Sequence, residues 1–112
     1  MAFTATYPAS EPARADVDAY AGATVLEFGA PWCGWCLGAQ AAIQEALSAH
    51  PGVRHVKVED GRGKPLGRSY RIKLWPTLVF LRDGVEQARA VRPGGTPDIL
   101  EGLAAIDRPA DA

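Results

Sequence analysis

Thr24-Val25-Leu26-Glu27-Phe28-Gly29-Ala30-Pro31-Trp32-Cys33-Gly34-Trp35-Cys36 joins an apolar run to both cysteines of the chain, two residues apart. The β-branched and aromatic residues between Ala23 and Gly29 predict a strand in a sheet interior. From Cys33 the pattern changes: Ala39, Ala41, Ala42, Ile43, Ala46 and Leu47 suit a helix that stops before Pro51-Gly52. The cysteine pair thus falls at a strand-to-helix junction. Unpaired backbone N–H groups and the helix dipole favour negative charge there, and a thiolate is the nucleophile of disulfide exchange. A redox dithiol follows, with Cys33 placed to attack and Cys36 to finish the exchange.

Upstream, Phe3 to Tyr7 carries a weak strand signal. Ser10-Glu11-Pro12 predicts a helix capped by Ser10, with Pro12 in its first turn, running to Tyr20 before Gly22. Downstream, Val53 to Val58 predicts a strand with Val56 and Val58 inward and His55 exposed, while His50 is expected to interact with the end of its helix. A short helix is expected from Pro65 to Tyr70, then a strand from Pro76 to Leu81. Asp83-Gly84 is a hairpin signal leading into a partner strand from Glu86 to Val91. Thr96 or Asp98 is expected to cap a last helix whose Ile99, Leu100, Leu103 and Ile106 form one apolar face. This order predicts an α/β fold, a central mixed sheet of four to five strands with helices on both faces. Residues 1–106 read as a single domain and 107–112 as a flexible tail.

With 112 residues, 47% hydrophobic and 22% charged, the chain has the composition of a soluble globule, and a net charge of -1 predicts neither nucleic-acid nor membrane binding. No run approaches the length of a membrane span, and residues 1–10 show no basic start followed by an apolar core. A cytoplasmic monomer is the expectation. Two cysteines do not complete a four-ligand zinc site, and His50 and His55 are not at ligand spacing to them, so neither metal nor organic cofactor is expected. Glu27 stands out: an unpaired carboxylate in a buried strand costs several kcal/mol, which it escapes only by staying protonated or by pairing.

Beyond the dithiol, several residues stand in a matching order: Glu27 six positions before the first cysteine, Trp32-Cys33-Gly34-x-Cys36, Lys57, Tyr70-x-Ile72, Trp75-Pro76-Thr77, Asp83-Gly84 and Gly94. In these the chain, from Val25 to Ile106, resembles the thioredoxin family. The resemblance implies the thioredoxin fold and a thiol-disulfide oxidoreductase acting on protein disulfides, with a reductase or other thiol as electron donor. It implies that Trp75-Pro76 is cis and faces the dithiol, and that the Trp75 backbone pairs with an extended substrate segment. It places Glu27 and Lys57 beneath the dithiol, where the acid takes or returns the Cys36 proton. Trp32, Trp35, Trp75, Pro76 and Gly94 would then form an apolar rim for substrate, with Tyr70 and Ile72 in the core.

The chain departs from the family between the cysteines, where Trp35 stands in place of proline. This restores an N–H near Cys33, expected to stabilise its thiolate and shift the pair toward a weaker reductant. Two other functions compete. A glutaredoxin-like enzyme would hold a glutathione carboxylate on the N–H groups of residues 95–98, and a non-catalytic module would use only the tryptophan rim.

Overall fold

The computed structural model describes residues 3–107; the expected tail lies outside them beyond Asp107. The order is α1 (Arg14–Asp18), β1 (Ala23–Gly29), α2 (Gly34–Ser48), β2 (Arg54–Glu59), α3 (Pro65–Ser69), β3 (Thr77–Arg82), β4 (Val85–Val91) and α4 (Thr96–Ile106). The strands form one four-stranded sheet in the order β2-β1-β3-β4. β1 runs parallel to β2 and antiparallel to β3, and β3 runs antiparallel to β4. The mixed sheet flanked by helices is the architecture expected.

Side-chain alternation along β1 sorts the core into two layers. Val25 joins Ile43 and Leu47 of α2 and Ile99, Leu103 and Ile106 of α4, with Leu78 and Phe80 from β3. Leu26 and Phe28 face the other way, onto Val17 of α1 and Leu66 and Tyr70 around α3. Each large side chain so buried contributes roughly 1.5–3 kcal/mol. Glu27 shares the parity of Val25, so its carboxylate enters the α2 side of the sheet, beneath the end of α2 that carries the cysteines.

Four local expectations are corrected. Phe3 to Tyr7 makes no strand: Thr4 instead bonds to His55 of β2 through its N–H and its hydroxyl, so the segment lies against the sheet as a strap. The first helix is not capped by Ser10 and does not reach Tyr20; it is the short α1, with Ala13 at its N-cap. At α4 the N-cap is Gly95 and not Thr96 or Asp98, with Pro97 in the first turn. His50 reaches past its own helix end to Asp107, Nδ1 to Oδ2 at 2.6 Å.

The hairpin forms at the residues expected. Asp83 (φ 50°) and Gly84 (φ 80°) both adopt left-handed conformations, the requirement of a tight two-residue turn. Gly84 is doubly constrained, because a Cβ there would also strike the backbone of Asp18. Gly84→Ala is expected to destabilise the protein by about 2–4 kcal/mol, from the left-handed backbone and the overpacking together. Urea unfolding measures it, and a loss below about 0.5 kcal/mol, the usual size for an unconstrained surface site, contradicts this account of the turn.

Candidate active site

The chain leaves β1 through Ala30, and the Cys33 N–H bonds back to the Ala30 carbonyl at 3.2 Å. Cys33 is the N-cap of α2: it keeps an extended backbone (φ -83°, ψ 118°), and its Sγ accepts the Cys36 N–H at 3.2 Å. A sulfur here replaces the usual capping oxygen, where orphan N–H groups favour negative charge. The Cys36 thiol points at the same atom, with the two sulfurs 2.7 Å apart. The expected contribution of Trp35 is corrected, since among the described residues its restored N–H does not reach Cys33 Sγ.

Burial separates the two thiols. Cys33 retains 8% of its surface and Cys36 only 1%. Burial, then the hydrogen bond with Cys33, pushes the Cys36 thiol up from 9.0 to about 12. Its close fit depends on Gly29, where a methyl group would stand 2.6 Å from Cys36 Sγ and 2.9 Å from the Tyr7 hydroxyl. The reduced fold therefore keeps a proton that the unfolded chain releases above pH 9.0. The associated stability is intact below that pH and is lost as pH rises toward 12. The disulfide form lacks this dependence. Its Tm, compared with that of the reduced form from about pH 8 to about pH 11, should show a difference that shifts steadily against the reduced protein. A difference that stays constant contradicts the assignment.

Beneath the dithiol, Glu27 is fully buried and both its oxygens are engaged. Lys57, paired with it in register across β1 and β2, brings Nζ to 3.8 Å from Oε2 and donates to the Gln40 side-chain oxygen Oε1 at 2.9 Å. That contact fixes the Gln40 amide, because an ammonium only donates. Gln40 Nε2 therefore donates to Glu27 Oε2 at 2.7 Å and to the Cys36 carbonyl at 2.9 Å, linking the acid to the resolving cysteine. The His55 tautomer follows likewise. Its Nδ1 accepts the Thr4 N–H at 2.7 Å, so the proton sits on Nε2, which donates to Glu27 Oε1 at 2.8 Å.

The structure thus brings Cys33, Cys36, Glu27 and Lys57 together, and corrects the placement of His55, expected on the surface but buried against the acid. His55 and Lys57 lie two apart on one face of β2, so parity makes them share the environment of Glu27. Sequence reading also missed Gln40, whose signal is its place one helical turn after Cys36. Tyr7 was missed as well: Lys57 Nζ lies 4.5 Å from its ring centroid, and its buried hydroxyl has no hydrogen-bond partner among the described residues. Burial, then the charges of Glu27 and Cys36, raises the pKa of that hydroxyl, keeping it protonated.

Around Cys33 lies the tryptophan rim. Trp32 and Trp35 are 73% and 64% exposed, and Trp32 meets Trp75 edge to face at 5.4 Å. Trp75 packs on Ala30, Cys33 and Cys36, and its indole N–H donates to Asp60 at 2.9 Å. The Trp75-Pro76 peptide is cis, as the resemblance implies. Arg92 donates from Nε to the Trp75 carbonyl at 2.8 Å and lies over the Trp35 ring. A depression of about 370 Å³ opens among Trp32, Cys33, Trp35, Lys73 and Trp75. A second, of about 600 Å³, lies beyond Trp35 and reaches Gly94. The Gly94 N–H is taken by Asp98 Oδ2 at 2.9 Å, which puts negative charge where the glutaredoxin-like reading needs to hold a carboxylate.

The thioredoxin family profile matches residues 9–104. The structure of reduced thioredoxin 2 from Pseudomonas aeruginosa is 52% identical and aligns with a TM-score of 0.79, covering 88% of this chain and 92% of that one. An H-type thioredoxin of Fagopyrum esculentum is 31% identical over 79% of this chain and 74% of its own length. An H-type thioredoxin of Oryza sativa subsp. indica is 30% identical over 69% of this chain and 62% of its own. The chain spans about half to three-fifths of several curated relatives, from 48% of thioredoxin-2 of Pyricularia oryzae to 62% of the rice protein.

Proposed function

The chain belongs to the thioredoxin family, and from that premise we propose that it reduces protein disulfides by thiol-disulfide exchange. The observation that carries this is the asymmetry of the pair: two donors aimed at the more accessible Cys33, and a Cys36 thiol buried over a carboxylate network. Cys33 thiolate attacks one substrate sulfur, the substrate disulfide breaks, and its other sulfur leaves as a thiolate. Cys36 then gives its proton to the network around Glu27 and attacks Cys33 Sγ. The second substrate thiolate leaves, and the protein holds the Cys33–Cys36 disulfide with two electrons transferred. A reductase or other dithiol donor restores the reduced pair.

Trp32, Trp35, Trp75, Pro76 and Gly94 serve the substrate segment, supported by the exposure of the first two and the packing of Trp75 on the dithiol. The partners proposed are disulfide-containing proteins and one thiol donor. We place the protein in the cytoplasm as a monomer: both cysteines are committed to the exchange site with none left for a structural disulfide, and much of the exposed large apolar surface borders that site.

The test pairs two measurements. The reduction potential of Cys33–Cys36 is set beside turnover of a disulfide-linked peptide, with a thioredoxin reductase or with glutathione as donor. Coupling to the reductase is expected. Turnover with glutathione alone would favour the glutaredoxin-like reading, and no turnover with either the binding-module reading.

A further inference from the structure

Arg62, Lys64, Arg68, Arg71 and Lys73 follow one another along the chain with no acidic residue between them. The other described cations are all engaged. Arg14, Lys57, Arg82 and Arg89 pair with carboxylates, Arg54 lies over the Tyr20 ring, and Arg92 binds Trp75 and Trp35. Among the described residues, the side chains of those five have no hydrogen bond, ion pair or ring contact. This unpaired positive charge is local, since the whole chain carries a net charge of -1.

The fold gathers these cations in one place. Lys64, Arg68, Arg71 and Lys73 line a cleft of about 470 Å³ together with Asp60, Gly61 and Ile72. The single carboxylate there, Asp60, accepts the Trp75 indole N–H and leaves the lining at four cations to one anion. α3 ends among the residues that line the cleft, where the Arg71 N–H bonds the Arg68 carbonyl at 3.0 Å. Arg71 there takes a left-handed conformation (φ 57°), at a position where glycine is the usual residue. Lys73 lines both this cleft and the depression that holds Cys33, Trp32 and Trp35, and no carboxylate lines the latter. A segment passing over Lys73 from the dithiol therefore enters unpaired positive charge.

We propose that this cleft docks an acidic segment of the same protein whose disulfide Cys33 attacks. The inference rests on the exchange reading and names the substrate class: disulfides flanked by Asp- and Glu-rich sequence. The complementary charge acts on encounter, raising the association rate in a way that salt screens, while the tryptophan rim makes the short-range contact.

The test uses two disulfide-linked peptides with the same cysteine-containing core, one flanked by Asp and Glu and the other by Ser and Gln. At low salt the native protein should show a kcat/KM about tenfold higher for the acidic peptide. This ratio should fall close to one in high salt and in the triple variant Lys64→Gln, Arg68→Gln, Arg71→Gln. Separately, a fluorescent acidic peptide without cysteine, followed by anisotropy, reads the cleft free of thiol chemistry and should bind the variant more weakly. A native ratio near one, or a preference that survives in the variant, overturns the inference. Inorganic phosphate binding more tightly than the labelled peptide would also overturn it, by assigning the cleft to a small anion. Failure of the exchange reading shows separately, as no reduction of the Ser and Gln peptide.

Discussion

Cys33→Ser is expected to remove turnover of a disulfide substrate, with kcat/KM falling by about a thousandfold or more. The hydroxyl of serine stays protonated at neutral pH, and an alkoxide is a poor partner for a disulfide sulfur. Cys36 cannot substitute. It is 1% exposed, its thiol is pushed up to about 12, and it lies behind Cys33 and Trp75. The fold should tolerate the change, because a serine oxygen at the N-cap of α2 can still accept the Cys36 N–H that Cys33 Sγ accepts now. Unfolding and turnover are therefore measured on the same sample. Lost turnover with near-native stability supports the assignment, and retained turnover contradicts it.

Glu27→Gln is expected to slow resolution by about 100-fold, the low end of what a positioned acid-base group contributes, while leaving the first attack within about threefold. Glu27 now only accepts, from His55 Nε2 and Gln40 Nε2, with Lys57 Nζ nearby. A glutamine turns one of those acceptor positions into an NH2 group facing donors, and it takes no proton from Cys36. Leaving a buried donor unsatisfied also destabilises the fold by about 1–3 kcal/mol. Stopped-flow traces at neutral pH separate the steps, as formation of the mixed disulfide followed by release of the second thiol. An unchanged release rate removes Glu27 from the proton path.

The junction at Cys33 was legible because three local signals agree there: a β-branched apolar run, a cysteine at capping position, and helical periodicity after it. The Asp83-Gly84 turn was legible for the same reason, as its residue types demand the conformation they adopt. The environment of Glu27 was only half legible. That the acid had to be paired followed from burial, and Lys57 was named, but two further partners of the acid, and the residue that holds one of them, come from far along the chain. Gln40 lies 13 residues away, His55 lies 28 away, and Thr4 reaches across 51 residues to hold the His55 ring. A short irregular strap carries no periodicity, so Phe3 to Tyr7 read as a weak strand. Its bonds to two side chains and a single carbonyl of β2 replace the ladder a strand would have made. Ser10 misled for a related reason: a cap residue followed by Pro12 is a helix start by composition, yet the helix begins only at Arg14.

The central claim is an order of events, with Cys33 attacking first and Cys36 resolving from behind it. Intact-mass measurement of Cys36→Ser after mixing with a disulfide-linked peptide tests it directly. The account predicts one peptide attached through Cys33, removed by dithiothreitol, with none attached to the Cys33→Ser variant. A stable adduct on Cys33→Ser, or undiminished turnover by Cys36→Ser, would contradict it.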